Sequence, residues 1–162
     1  MSLTAPAPLD DSHVLDEVRC SEPELEFWLE RRALKNQSEG ASRTFVVCDG
    51  LRVVGYYALA AGSVLHSQSP GAVRRNRPEP IPVVVLGRLA VHAAWSGKGL
   101  GSGLLKDAVV RSLRLSEDLG VRALLCHAIN AAAKDFYLHH GFVESPADPL
   151  TVMLVLGKLK PR

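Results

Sequence analysis

The feature that most constrains the fold is an alternating glycine run, Ser96-Gly97-Lys98-Gly99-Leu100-Gly101-Ser102-Gly103, set between a strand-like stretch, Pro82 to Val91, and a helix-like stretch, Leu104 to Leu115. A glycine at every second position frees the backbone for positive φ and for close approach to a ligand. A helix that follows turns its unpaired N–H groups back onto the loop, and its aligned dipoles favour negative charge there. Strand, glycine loop and helix in this order therefore point to a phosphorylated ligand, with a pyrophosphate the best match. Read alone, the same run also fits a turn that merely ends a strand. Spacing narrows the ligand: a nucleoside-triphosphate loop requires Gly-x-x-x-x-Gly-Lys followed by Ser or Thr, whereas Lys98 is followed by Gly99. The dinucleotide fingerprint requires Gly-x-Gly-x-x-Gly, and this run is Gly-x-Gly-x-Gly-x-Gly.

Composition bounds the rest. A chain of 162 residues with 47% apolar content is expected to form one domain, residues 1–162, with its Pro-rich start, residues 1–11, extended or frayed. No apolar run reaches the ~20 residues that span a bilayer, and the first residues lack the basic segment and apolar core of a signal peptide. A cytoplasmic protein with no membrane contact is the expectation. Cys20, Cys48 and Cys126 are odd in number and widely spaced, which excludes a fully paired disulfide framework and gives no metal spacing. No metal is expected, and Cys48 and Cys126 read as buried free thiols. A net charge of +2 is too small to argue for nucleic acid, so that case rests on where the basic residues cluster.

Apolar periodicity outlines the elements. Glu24 to Asn36 reads as an amphipathic helix with Leu25, Trp28, Leu29, Ala33 and Leu34 near one face, Ser21 as N-cap, Pro23 in the first turn and Gly40 past its end. Thr44 to Cys48, Asp49-Gly50 and Arg52 to Ala60 spell a hairpin. A long connection from Gly62 to Pro82 follows, with Arg74, Arg75 and Arg77 in its middle; connections this long are usually functional or disordered. Val83 to Val91 is apolar apart from Arg88, as a strand buried on both faces requires, and Gly87 marks a bulge or a close approach. Leu100, Leu104, Leu105, Ala108, Val109 and Leu113 then recur at helical spacing up to Gly120. Val121 to Ala128 is a strand, Asn130 to His140 a short helix stopped by Gly141, and Thr151 to Leu156 the last strand. This β-α-β-α-β order calls for a parallel strand pair around the glycine loop, in an α/β fold with a mixed central sheet and flanking helices.

The loop and its setting resemble the GNAT superfamily of acyl-CoA N-acetyltransferases, whose loop reads Gln/Arg-x-x-Gly-x-Gly; Ser96 stands here where Gln or Arg is usual. The resemblance implies the GNAT fold and acetyl-CoA as co-substrate. It assigns the main chain of Leu89, Ala90 and Val91 to the pantetheine arm, and Gly97, Lys98, Gly99, Leu100, Gly101 and Ser102 to the pyrophosphate. Without it, Leu89 to Val91 are core residues and Lys98 is a solvated cation. A second block, Asn130 followed by Phe136-Tyr137-Leu138-His139-His140-Gly141-Phe142, resembles the superfamily's closing motif. It places Asn130 and Phe136 at the cofactor, although Asn130 also suits a helix cap. Tyr137 becomes the candidate acid: thioester cleavage leaves a thiolate, to which a phenol can donate a hydrogen bond or a proton. Read by spacing alone, Tyr137 is one more aromatic packed on the sheet. His139 and His140 are adjacent, so on a helix they face different ways and make no metal pair; His127 reads as a core or edge histidine at a strand end.

Many members of the superfamily carry a Glu on the central strand as base for a lysine or alkylamine, yet no residue from Pro80 to Trp95 is acidic. A lysine titrates at about 10.4, an α-amino group at about 7.7–8.0. The missing base therefore favours a weakly basic amine, such as the ester-linked α-amine of an aminoacyl-tRNA. Four further blocks, Trp28 to Gln37, Gly40 to Val47, Gly55 to Leu59 and Ile81 to Val91, together with Phe142 to Leu150, resemble the GNAT-type toxins of bacterial toxin–antitoxin pairs. That resemblance, running from Trp28 to Leu156, implies acetylation of aminoacyl-tRNA, arrest of translation, a ribbon-helix-helix antitoxin and a homodimer. Lys35, Arg43, Arg74, Arg75, Arg77 and Arg88 are then candidates for tRNA contact, against the plainer reading of a solvated charged face. The alternatives are a GNAT enzyme acting on a small amine or a protein, and a non-catalytic acyl-CoA-binding regulator.

Overall fold

The computed structural model describes residues 3–157. Met1 and Ser2, part of the expected frayed start, lie outside the described residues. Seven strands form a mixed sheet in the order β1-β2-β3-β4-β5-β7-β6: β1 Ala7–Pro8, β2 Arg43–Asp49, β3 Arg52–Val64, β4 Ile81–Val91, β5 Ala123–His127, β6 Val143–Glu144 and β7 Thr151–Val155. The helices are α1 Pro23–Arg31, α2 Ala33–Ser38, α3 Gly71–Arg74, α4 Leu100–Asp118 and α5 Ala131–His139. The α/β class with a mixed central sheet and flanking helices is as expected. Two compact units divide the chain, one of Met1–Ala60 and Gly87–Ala108, the other of Ala61–Leu86 and Val109–Arg162.

In the first unit the expected hairpin is present, β2 pairing antiparallel with β3 from Arg43↔Leu59 to Asp49↔Arg52, with a bulge between Val47 and Cys48. Ala7–Pro8 adds an edge strand on Val46 and Phe45 and carries Leu9 into the core. The single helix expected over Glu24 to Asn36 is two helices, broken at Arg32, where φ is −124°. No glycine or proline marks this break. It lets Trp28, Leu29 and Ala33 share one apolar cluster with Val46, Val53, Tyr56 and Ala90, so packing sets it. Nor is Ser21 the N-cap: Pro23 sits at the first helical position, which its fixed φ suits, and that makes Glu22 the cap residue. Gly55 on β3 admits α4, since a Cβ there would stand 3.0 Å from Leu104 Cδ1 and 3.4 Å from the Ala90 carbonyl.

In the second unit β4 and β5 pair in parallel over Val83↔Ala123 to Leu86↔Cys126, the crossover pair the element order called for. β7 then inserts antiparallel between β5 and β6. The long connection is shorter than expected, because β3 runs on to Val64 and Gly62 meets β4 closely: a Cβ there would lie 2.7 Å from Val85 Cγ2. The rest of the connection holds a one-turn 3-10 helix, His66–Gln68, and α3. Arg122 ties α3 down by donating from Nε and Nη2 to the carbonyls of Val73 and Ala72, the acceptors a helix end leaves open. Elements of three and four residues leave no periodicity to read, which is why they were not foreseen. Gly87 meets nothing within 4 Å where a Cβ would stand, so the close approach expected there is absent. Cys48 and Cys126 are buried free thiols, as expected.

Candidate active site

The first unit carries the glycine loop. Gly97 and Gly99 hold φ of +75° and +81°, left-handed conformations that glycine alone adopts without strain. A Cβ on either would meet nothing within 4 Å, so their conformation, not internal crowding, demands glycine. Gly101 and Gly103 instead belong to α4, which opens at Leu100. The Gly103 N–H donates to the Gly99 carbonyl at 3.0 Å, and the helix's opening N–H groups precede that bond and face the loop. The Lys98 ammonium stands 5.3 Å from the Trp95 ring centroid, a cation–π contact that keeps a positive charge beside the loop. His92 supports the turn before it, Nδ1 accepting from the Ala94 N–H at 3.0 Å. On β4, Ala90 is buried and Leu89 and Val91 are half-buried. Arg88 projects onto Trp28, its guanidinium carbon 4.6 Å from the ring centroid, and Trp28 stacks on Tyr56 at 6.0 Å. Arg43 donates to the Gln37 carbonyl at 2.6 Å, and Lys35 is exposed on α2.

The second unit carries Tyr137, only 6% exposed, on the inner side of α5. Phe136 and Phe142 flank its ring, at centroid distances of 5.4 and 5.6 Å. Burial first, and the nearby Cys126 second, push the phenol well above the ordinary tyrosine value. Tyr137 is therefore a donor at every physiological pH. Asn130 caps α5, its Oδ1 accepting from the Ala133 N–H at 2.9 Å. Of the three loop arginines, Arg74 donates to the Ser69 carbonyl at 2.6 Å, while Arg75 and Arg77 are exposed. Arg122 joins them: burial, then Arg77 and Arg75, hold its guanidinium below the usual arginine range. Arg77 and Arg122 line a cavity of about 400 Å³ with Ser116, and among the described residues no acidic one lines it. The proximity of Arg122 to Arg75 and Arg77 was not foreseen, since 45 or more residues separate it from them in the chain.

A second arrangement also escaped the sequence reading. His127, at the exposed end of β5, shares a 2.9 Å hydrogen bond between its Nδ1 and Thr151 Oγ1, and that hydroxyl donates to Asp148 Oδ2 at 2.9 Å. The pairing of β5 with β7 sets His127 opposite Thr151. Only that register joins them.

The sequence matches the acetyltransferase (GNAT) domain over residues 40–144, and the chain belongs to that family and is an N-acetyltransferase. Among curated relatives it is 47% identical, over 153 residues, to the tRNA-acetylating toxin of Mycobacterium tuberculosis (strain ATCC 25618 / H37Rv), covering 94% of this chain and 92% of that one. Among solved structures its fold matches AtaT complexed with acetyl-methionyl-tRNAfMet at a TM-score of 0.89, with 24% identity, 97% of this chain and 96% of that chain covered. It matches AtaTR bound with AcCoA at 0.84, again with 24% identity, over 96% and 95% of the two chains. Among the described residues, no helix is long and apolar enough to cross a membrane, and no cluster of His, Cys, Asp and Glu could hold a metal ion.

Proposed function

We propose that this enzyme moves the acetyl group of acetyl-CoA onto the α-amine of an aminoacyl-tRNA and so acts as a toxin of translation, working as one catalytic domain. The observation that carries this reading is the 47% identity, over nearly the whole chain, to a tRNA-acetylating toxin. Two features support it independently. No acidic residue lies between Pro80 and Trp95 to deprotonate a strongly basic amine. Arg77 and Arg122 line a cavity with no carboxylate among its described lining residues, and Arg75 adds charge near Arg122, which suits a phosphate backbone.

In this reading the opening N–H groups of α4, the turns at Gly97 and Gly99 and the charge of Lys98 hold the pyrophosphate of acetyl-CoA, with Leu100, Gly101 and Ser102 in the same cradle. The main chain of Leu89, Ala90 and Val91 holds the pantetheine arm, with Asn130 and Phe136 beside it. Strand N–H groups polarise the thioester carbonyl while the amine attacks. Tyr137 serves the departing sulfur. Its phenol is pushed above the ordinary tyrosine value, whereas a thiol titrates near 8.5, so full proton transfer to the thiolate runs uphill. Tyr137 acts by donating a hydrogen bond as charge develops on sulfur. Lys35, Arg43, Arg74, Arg75, Arg77 and Arg88 face the tRNA, with Arg88 also holding Trp28. The protein works in the cytoplasm as a homodimer, and a ribbon-helix-helix antitoxin neutralises it.

The test is acetyl transfer from radiolabelled acetyl-CoA to charged tRNA, to uncharged tRNA and to free amino acids. Label that enters charged tRNA alone, and leaves with the amino acid on mild alkaline deacylation, is the expected result. Label in free amines or protein instead overturns the reading in favour of a small-molecule or protein acetyltransferase. Replacing Arg74, Arg75 and Arg77 with Ala is expected to weaken tRNA binding and flatten its salt dependence while acetyl-CoA affinity stays unchanged.

A further inference from the structure

β5 separates two chemistries by its pleat. Successive side chains of a strand point to opposite faces, so Cys126 and His127 look away from each other. Cys126 is buried, and after burial itself it is the second cause that raises the Tyr137 phenol's pKa. His127 and Leu125 look the other way, into a cavity of about 250 Å³ whose walls include Val83, Val85 and Met153. Among the described residues, Asp148 is the one charged side chain lining that cavity besides the titratable His127.

The hydrogen bonds at its mouth have a direction. Asp148 is a carboxylate held below the usual carboxylate range by the Leu150 N–H and the Thr151 hydroxyl, so it accepts. The Thr151 hydroxyl has one proton and gives it to Asp148 Oδ2, so toward His127 it can only accept. His127 Nδ1 must then carry the proton and donate to Thr151 Oγ1 at 2.9 Å. In the neutral ring this leaves Nε2 without a proton, its lone pair free to act as a base.

Resting on the reading of this protein as an aminoacyl-tRNA acetyltransferase, we propose that His127 is the base for the attacking amine, fixed in its basic tautomer by Thr151 and Asp148, and that the cavity beside it receives the aminoacyl side chain. The amine nitrogen forms its bond to the thioester carbonyl carbon. Its surplus proton passes to His127 Nε2, the C–S bond breaks, and the sulfur leaves as a thiolate facing the Tyr137 phenol. Solvent then takes the proton from His127 and supplies one to the thiolate. Apolar walls of Val83, Val85, Leu125 and Met153 favour an uncharged, apolar side chain on the acceptor.

The experiment is single-turnover acetylation of aminoacyl-tRNA by wild-type, His127→Ala, Thr151→Val and Thr151→Ser proteins, with acetyl-CoA affinity measured alongside. His127→Ala is expected to lose roughly 10²-fold or more in rate, the range of general base catalysis, with acetyl-CoA affinity unchanged and much of the rate restored by added imidazole. Thr151→Val is expected to lose less, and Thr151→Ser to restore most of that loss, since only the serine keeps the relay. A His127→Ala protein that reacts at the wild-type rate, or whose loss imidazole does not restore, overturns the proposal while leaving the substrate reading intact. A wild-type protein inert toward every aminoacyl-tRNA overturns that reading and this proposal with it.

Discussion

Tyr137→Phe deletes one oxygen and keeps a ring that packs between Phe136 and Phe142, so the fold and the acetyl-CoA affinity are expected to survive. The rate of acetyl transfer is expected to fall by roughly 10²–10³-fold, the span for loss of one transition-state hydrogen-bond donor, and toward its lower end because a thiolate leaves partly unaided. Calorimetric titration with acetyl-CoA and single-turnover kinetics separate the two quantities. The role proposed for Tyr137 rests on its place ahead of Gly141 and Phe142, a block of fixed spacing that a sequence displays directly. The hydrogen bonds of His127 are not displayed that way. Its partner Thr151 lies 24 residues on, and only the register of β5 against β7 brings the two together.

The glycine loop and the helices divide along the same line. Gly99 turns at a φ of +81°, so Gly99→Ala forces a strained conformation and is expected to destabilise the protein by about 1 kcal/mol and to weaken acetyl-CoA binding. Gly103 lies inside α4 with open space at its Cβ, so Gly103→Ala is expected to raise stability by about 0.5–1 kcal/mol. Thermal melts of the two variants, moving in opposite directions, check the assignment. Sequence read four alternating glycines as one loop because residue type alone does not say where a helix begins. Asn130→Ala removes the cap of α5 and is expected to cost about 1 kcal/mol, which Asn130→Asp largely restores because its carboxylate also accepts from the Ala133 N–H. Urea unfolding of the pair measures this.

Buried titratable groups set the alkaline limit of the whole protein. Burial raises the pKa of the Cys48 and Cys126 thiols and of the Tyr56 and Tyr137 phenols. The unfolded chain releases these protons at ordinary values, about 8.5 for thiols and 10 for phenols, while the folded protein holds them higher. Their contribution to stability is therefore fully present below about pH 8.5 and is lost as pH rises through the raised folded values. Melting temperatures taken from pH 7 to pH 11 are expected to fall across that window. Tyr56→Phe should flatten the upper part of the fall, although it also costs about 1 kcal/mol by removing the hydrogen bond from Tyr56 to the Leu25 carbonyl.

By itself the sequence determined what is local or periodic. The β2–β3 hairpin follows from Asp49-Gly50 between apolar runs, the α4 helix from leucines at helical spacing, the parallel β4–β5 pair from the element order, and the left-handed turns at Gly97 and Gly99 from their glycines. Tertiary structure alone decided what depends on contacts between distant residues: the break at Arg32, the edge strand Ala7–Pro8, the anchoring of α3 by Arg122, and the His127, Thr151 and Asp148 relay. Periodicity records which face of an element is buried. It does not record which face of another element covers it, and that choice places the groups that do the chemistry.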